Sequence, residues 1–193
     1  MKTAKSRLLR SQFPDLLVLV PHRDARLPLR AWSGSLFAAG LAGAWSFPRV
    51  APLAVLAREI PGRELKELAR ILRECRRADG GRFTAGSPAA AQLPFAPGGS
   101  PVFAFGPSLD IALPDAFSAR GLEPIIPAVL GAALVRQPFP GNPPGSLPDP
   151  PRVSFRAAAL AVARFRPLPA GDPGDGFSLE WEIGEPHWLP RPT

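Results

Sequence analysis

The sequence has little of what most catalytic and metal sites need. It holds one cysteine, Cys75, so no disulfide can form within the chain and no cysteine-based zinc site can be built. It holds two histidines, His22 and His187, near opposite ends, with none between them. Two lone histidines make no recognisable metal spacing, and neither a metal nor a cofactor is expected. Lysine occurs only at Lys2, Lys5 and Lys66, so the net charge of +7 rests almost entirely on arginine. No G-x-S-x-G elbow, P-loop or G-x-G-x-x-G is present. "PGGSP" at 97–101 reads as a turn rather than a phosphate cradle.

What is abundant is proline, 27 of 193 residues, spread along the chain. Interior proline breaks helices, so a long-helix bundle is excluded and many short elements are implied. Apolar residues make up 46% and charged residues 20%, a globular rather than a disordered balance. The arginine excess suits carboxylate or phosphate partners; an Arg-, Ala- and Pro-rich coding bias is the plainer account of it. Low cysteine usage is compatible with a reducing compartment, and a cytoplasmic location is the expectation.

Two segments resemble membrane signals without matching them. The basic start, residues 1–14, leads into "LLVLV", too short for a signal h-region and preceded by Pro14 and Asp15. Residues 31–48 carry no charge, but Gly34, Gly40, Gly43 and three serines dilute them and Pro48 ends them. A buried helix and turn is expected there, with no membrane insertion.

The pattern predicts strand (15–21), helix (27–41, with Pro28 in its first turn), extended chain (44–59) and helix (62–81) in that order. In the second helix Leu65, Leu68, Ala69, Leu72 and Cys75 form an apolar stripe, which makes Cys75 a small core residue. Two strands follow, joined through "PGGS", and then a third in "LEPIIPAVLGAALV". Residues 136–152 are a Pro/Gly-rich loop. The tail reads as a hairpin: "VSFRAAALAVARFRP" and "GFSLEWEIG" alternate with a period of two, setting Arg164 or Arg166 opposite Glu180 or Glu182. The four tryptophans are expected as core or interface anchors.

"APLAVLARE" (51–59) and "PAVLGAALV" (127–135) are two similar apolar cassettes, each with proline just before or inside it. In these cassettes, their spacing and the closing hairpin, the chain resembles the 2H phosphoesterase superfamily, which includes RNA 2′,5′-ligase-like and cyclic phosphodiesterase proteins. The resemblance spans residues 15–183. It implies an α+β fold: a single two-lobed domain of antiparallel-rich sheets with flanking helices, duplicated about a pseudo-two-fold axis. The family carries H-x-[ST] in each lobe, where histidines exchange protons with the oxygens of a cyclic phosphate and hydroxyls hold the phosphate. At those positions this chain has Ala51 and Leu53, then Ala128 and Leu130. A methyl group transfers no proton and an isobutyl group makes no hydrogen bond, so no catalytic residue is assigned.

The resemblance therefore implies a non-catalytic domain that keeps the groove, with Ala51 and Ala128 facing each other across an apolar floor. It would bind an RNA end, a nucleotide or a protein through arginines on the rim, Arg49 being the first candidate. A second reading is a hydrolase with a relocated catalytic set, using His22, just past the first strand, or Asp110, a polar residue inside "SLDIAL". Each of those two has a plain alternative, as a solvated loop histidine and as a polar residue on an exposed strand face. A third reading is a protein-interaction module using the 136–152 loop. A monomer is the default expectation.

Overall fold

Leu16–Pro21 forms β1, and all six residues are buried. A continuous apolar run has no solvent face, so it suits only a strand covered on both sides, and the computed structural model places it there. The structure describes residues 13–41, 47–77, 80–94, 101–135, 147–167 and 179–189. Antiparallel partners flank β1: β2 (Ala51–Leu56) on one side and β8 (Ala158–Pro167) on the other. The larger sheet runs β10-β8-β1-β2-β5, with β5 at Leu122–Pro124 and β10 at His187–Trp188; β9 (Leu179–Ile183) also pairs with β8. The smaller sheet runs β6-β4-β3-β7, from Ala133–Val135, Phe103–Leu109, Phe83–Gln92 and Val153–Phe155. Every pairing among the described residues is antiparallel. With three helices among the described residues beside these sheets, the fold is α+β.

Helix α1 spans Arg23–Ala38, so it begins four residues before the expected start and leaves Pro28 in its interior rather than its first turn. Leu29, Trp32 and Leu36 are buried at the expected helical spacing. Gly40, at φ 92°, supplies the left-handed residue that ends the helix. Among the described residues, no helix is long and apolar enough to cross a membrane. Residues 42–46 of the uncharged 31–48 stretch lie outside the described residues, as do 136–146 of the Pro-rich loop.

Helix α2 spans Gly62–Cys75, with Leu65, Leu68, Ala69 and Leu72 buried. Cys75, however, is exposed, and Arg73 and Arg76 are buried in its place. At 3.6 residues per turn, Arg73 and Cys75 flank the centre of the stripe by roughly equal angles of about 80°, so spacing alone does not choose between them. The returning chain does: Arg73 Nη1 donates to Gly81 O at 3.0 Å, and Arg76 donates to Arg82 O and stacks over the Phe83 ring at 5.3 Å. Helix α3 (Asp115–Ser118) is a single turn.

Two expected strands each change sheet partway. "LEPIIPAVLGAALV" breaks into β5, an isolated bridge at Val129 and β6, because Pro124 and Pro127 lack the N–H a ladder needs. Residues 153–167 break at Arg156 and Ala157, with β7 joining the smaller sheet and β8 the larger. In the tail hairpin, Arg164 stands opposite Glu182 and Arg166 opposite Glu180 in register.

Pro52 lies inside β2 and is accommodated by a bulge, since the β1 pairing shifts register between Leu17 and Val18. One core lies on the helix side of the larger sheet and joins Leu17, Leu19 and Leu53 to Leu68, Leu72 and Phe117. A second fills the layer between the sheets with Val18, Val50, Ala104, Val129, Ala161 and Phe165 among others.

Candidate functional site

The four motif-equivalent residues are core. Ala51, Leu53 and Leu130 are at most 1% exposed and belong to the helix-side cluster, against which Ala128 also packs. None of the four lines either of the cavities described below. Strand faces alternate, so a displacement of one residue exchanges them. The residues turned to the layer between the sheets are the neighbours Val50 and Val129, and they are buried there as well. The cassettes also lie in different sheets. Residues 128–130 run along β4, with Leu109 N donating to Ala128 O and Leu130 N to Pro107 O. Their neighbours bond to the β2 side, Ile125 N donating to Leu53 O and Gly131 N to Val50 O.

The three ligand candidates are not brought together. Asp110 is exposed just past β4, its N–H donating to Thr84 O at 3.0 Å. Arg49 is half-buried, and burial, followed by the nearby charge of Arg30, lowers its pKa. Of the three, His22 lines one of the two cavities described here, that of about 340 Å³ at the head of α1.

Three segments build that cavity. β1 ends at Pro21, and His22 N donates to Ala157 O at 2.9 Å, tying the strand end to the joint between β7 and β8. Helix α1 starts directly afterwards, and no side chain caps its N-terminus. The first N–H groups of a helix have no partner within it and carry partial positive charge. The far wall is Arg152, Ser154 and Arg156. Arg156 is held from behind, where its carbonyl accepts from Arg73 Nη2 at 3.3 Å. Arg73 is 7% exposed, and burial first, then the charge of Arg156, lowers its pKa.

The residues that line it include two arginines and a histidine against one acid, Asp24. Asp24 Oδ2 lies 3.2 Å from His22 Nδ1, a contact that orients the ring and leaves Nε2 as its other polar atom. Across the His22 ring, at 6.2 Å between centroids, lies the indole of Trp188, which is 54% exposed. Trp188 is fixed on β10 by pairing with Ala159 and by Leu189 N donating to Ala158 O.

A second cavity, of about 510 Å³, opens at the other end of β1 and is lined by Asp15, Arg58, Glu123, Phe13 and Leu56 among others. Its charges have both signs and are paired nearby: Asp15 with Arg164 at 3.3 Å, and Arg58 with Glu64 at 2.6 Å. It has no preference for either ionic class. Among the described residues, no group of three or more His, Cys, Asp or Glu could hold a metal ion.

Sequence reasoning misses Arg152, Arg156, Arg73 and Trp188. An unbroken alternating pattern hides Arg156, and Trp188 reads as a core or interface anchor. The adjoining signal is "VPHRDARLP", where a strand ends on proline and Asp24 falls in the first turn of the helix that follows. Neither a protein-family model, nor a curated protein, nor a solved structure matches this chain.

Proposed function

We propose that this is a non-catalytic domain of 2H phosphoesterase-like, two-lobed architecture that binds a phosphate-bearing ligand, of the nucleotide or RNA-end class, at the head of α1. The single observation that carries the reading is the convergence of His22, Arg152 and Arg156 on one 340 Å³ cavity beside an uncapped helix N-terminus. Such a volume falls within the ordinary range for small-ligand sites. Guanidiniums and free helix N–H groups are both suited to phosphate oxygens. The apolar layer between the sheets supports a binding site on the rim rather than in a central groove.

A relocated hydrolase is the second reading, favoured by the His22–Asp24 contact at 3.2 Å. Calorimetric titration with pyrophosphate tests the first. Binding that weakens with added salt, and that falls about tenfold in Arg156→Ala, is expected. Absence of binding at millimolar pyrophosphate overturns it. Turnover of a 2′,3′-cyclic nucleotide, abolished by His22→Ala, would replace it with the second reading.

A further inference from the structure

We infer that the outward face of α1 rests on an anionic lipid surface, with its arginines on the headgroup phosphates and Leu27 turned towards the acyl chains. Nothing here depends on the phosphate-binding reading of the cavity at the head of the same helix.

The sequence of the helix sets up the face. Helix α1 carries three arginines, Arg23, Arg26 and Arg30, against one acid, Asp24. Ala25, Leu29, Trp32 and Leu36 form its buried stripe. At about 100° per residue, Leu27 stands almost opposite that stripe. All three arginines fall on one side of Leu27, and Ala31 and Ala38 on the other. Each of these outward residues is exposed, Leu27 by 53%.

A lone exposed leucine is ordinary on a protein surface, but the neighbours of this one set it apart. Helix α2 shows a solvated face in the same fold: there Arg70 is paired with both Glu67 and Glu74. On α1, among the described residues, none of Arg23, Arg26 and Arg30 is in an ion pair. Of the four large apolar side chains left more than half exposed among the described residues, two, Leu27 and Phe37, are on this helix. Cations without acids beside exposed apolar groups are the pattern of a helix that lies in a membrane interface.

Two kinds of polyanion would satisfy the arginines. A nucleic-acid backbone offers phosphates but no apolar surface for Leu27 and the alanines beside it. A bilayer surface offers both. Its headgroup phosphates match guanidiniums, and its acyl chains take the leucine and the arginine stems. Among the described residues no helix is long and apolar enough to cross a membrane, and none is needed, since α1 lies on the surface rather than through it.

Flotation of the full chain with vesicles tests this, using phosphatidylcholine alone and phosphatidylcholine with a third phosphatidylserine. Binding is expected only to the anionic vesicles, and added salt should release it. Arg23→Gln, Arg26→Gln and Arg30→Gln should each weaken it about fivefold, the effect of one basic residue near a charged surface. Leu27→Gln should weaken it by a similar factor and Leu27→Trp should tighten it, through apolar area lost and gained. All four positions are exposed, so melting temperatures should stay at the wild-type value. Pyrophosphate affinity should be unchanged in Leu27→Gln, so the membrane inference and the cavity reading can fail separately. Absence of binding to anionic vesicles at low salt would overturn the inference. So would binding that the arginine variants lose and Leu27→Gln keeps, because the face would then be a general polyanion surface, open to RNA. Vesicle binding lost in Arg156→Ala and kept in the α1 variants would also overturn it, by moving the lipid phosphate to the cavity.

Discussion

Gly106 on β4 passes so close to Leu130 that a β-carbon at position 106 would lie 1.8 Å from the Leu130 carbonyl oxygen. No side chain can give way there, because the obstacle is backbone. The close approach lets residues 128–132 run along β4, with Leu130 N donating to Pro107 O at 2.9 Å and Ala132 N to Phe105 O at 2.8 Å. Gly106→Ala is expected to force the two segments apart and to cost about 3 kcal/mol from overpacking and weakened hydrogen bonds. Gly121 is the control. It has φ of 73° but nothing within 4 Å of where a β-carbon would stand, so Gly121→Ala should cost only about 1 kcal/mol, from conformation alone. Urea denaturation of both variants checks the ranking, and equal costs would contradict it.

Restoring the family motif should harm this protein. Leu53 is 1% exposed among Leu68, Leu72 and Phe117. Leu53→Thr removes packed volume and buries a hydroxyl, an expected loss of about 2–4 kcal/mol. Ala51→His would add an imidazole to a site with no exposure at all. The double variant is expected to have a lowered melting temperature and no turnover of a cyclic phosphate. A stable double variant that hydrolyses the substrate would show that these positions face an open site.

The parts of the fold that are legible in the sequence are those where one local pattern decides the outcome. The unbroken run 16–21 fits only a covered strand, and the stripe of Leu65, Leu68, Ala69 and Leu72 fits only a helix with one buried face. Legibility fails where tertiary context chooses between local equivalents. Arg73 and Cys75 are symmetric about the α2 stripe, and the fold of residues 80–82 decides for arginine. The alternation through 153–166 continues without a break in sequence, yet the chain changes sheets at Arg156 and Ala157. That change is what turns Arg156 into the cavity wall, so the candidate site is hidden by the same event. His22 is the one site candidate whose position after a strand points to its surroundings.

Trp32 anchors the far end of the Pro-rich loop. Its Nε1 donates to Pro148 O at 2.9 Å, and its ring packs 5.8 Å from that of Phe105. Trp32→Phe keeps most of the packing and loses the bond, an expected cost of about 1 kcal/mol. Trp32→Ala removes both and should cost about 3–5 kcal/mol. Thermal denaturation of the two variants separates the contributions, and a Phe variant as unstable as the Ala variant would assign the whole effect to the hydrogen bond.

The last expectation concerns acid. Glu64 sits in the first turn of α2, and Arg58 grips it with two bonds, Nη2 to Oε1 at 2.6 Å and Nη1 to Oε2 at 3.0 Å. The hydrogen-bonded guanidinium holds the Glu64 carboxyl below the usual carboxylate range, with smaller contributions from the charges of Arg120 and Arg63. A carboxyl whose pKa is lowered by folding adds stability above its unfolded value, near 4.3, and that stability is lost as pH falls through the folded value. The Arg58→Gln variant should therefore be less stable than the wild type at pH 7, with the difference shrinking as the pH drops below about 4. The pair lies at the surface, with Arg58 52% exposed, so the difference should be small and should shrink further in high salt. NMR titration provides the direct check, since the Glu64 carboxyl should move back up towards the ordinary range in Arg58→Gln. A stability difference independent of both pH and salt would mean that Arg58 acts through packing of its aliphatic stem rather than through its charge.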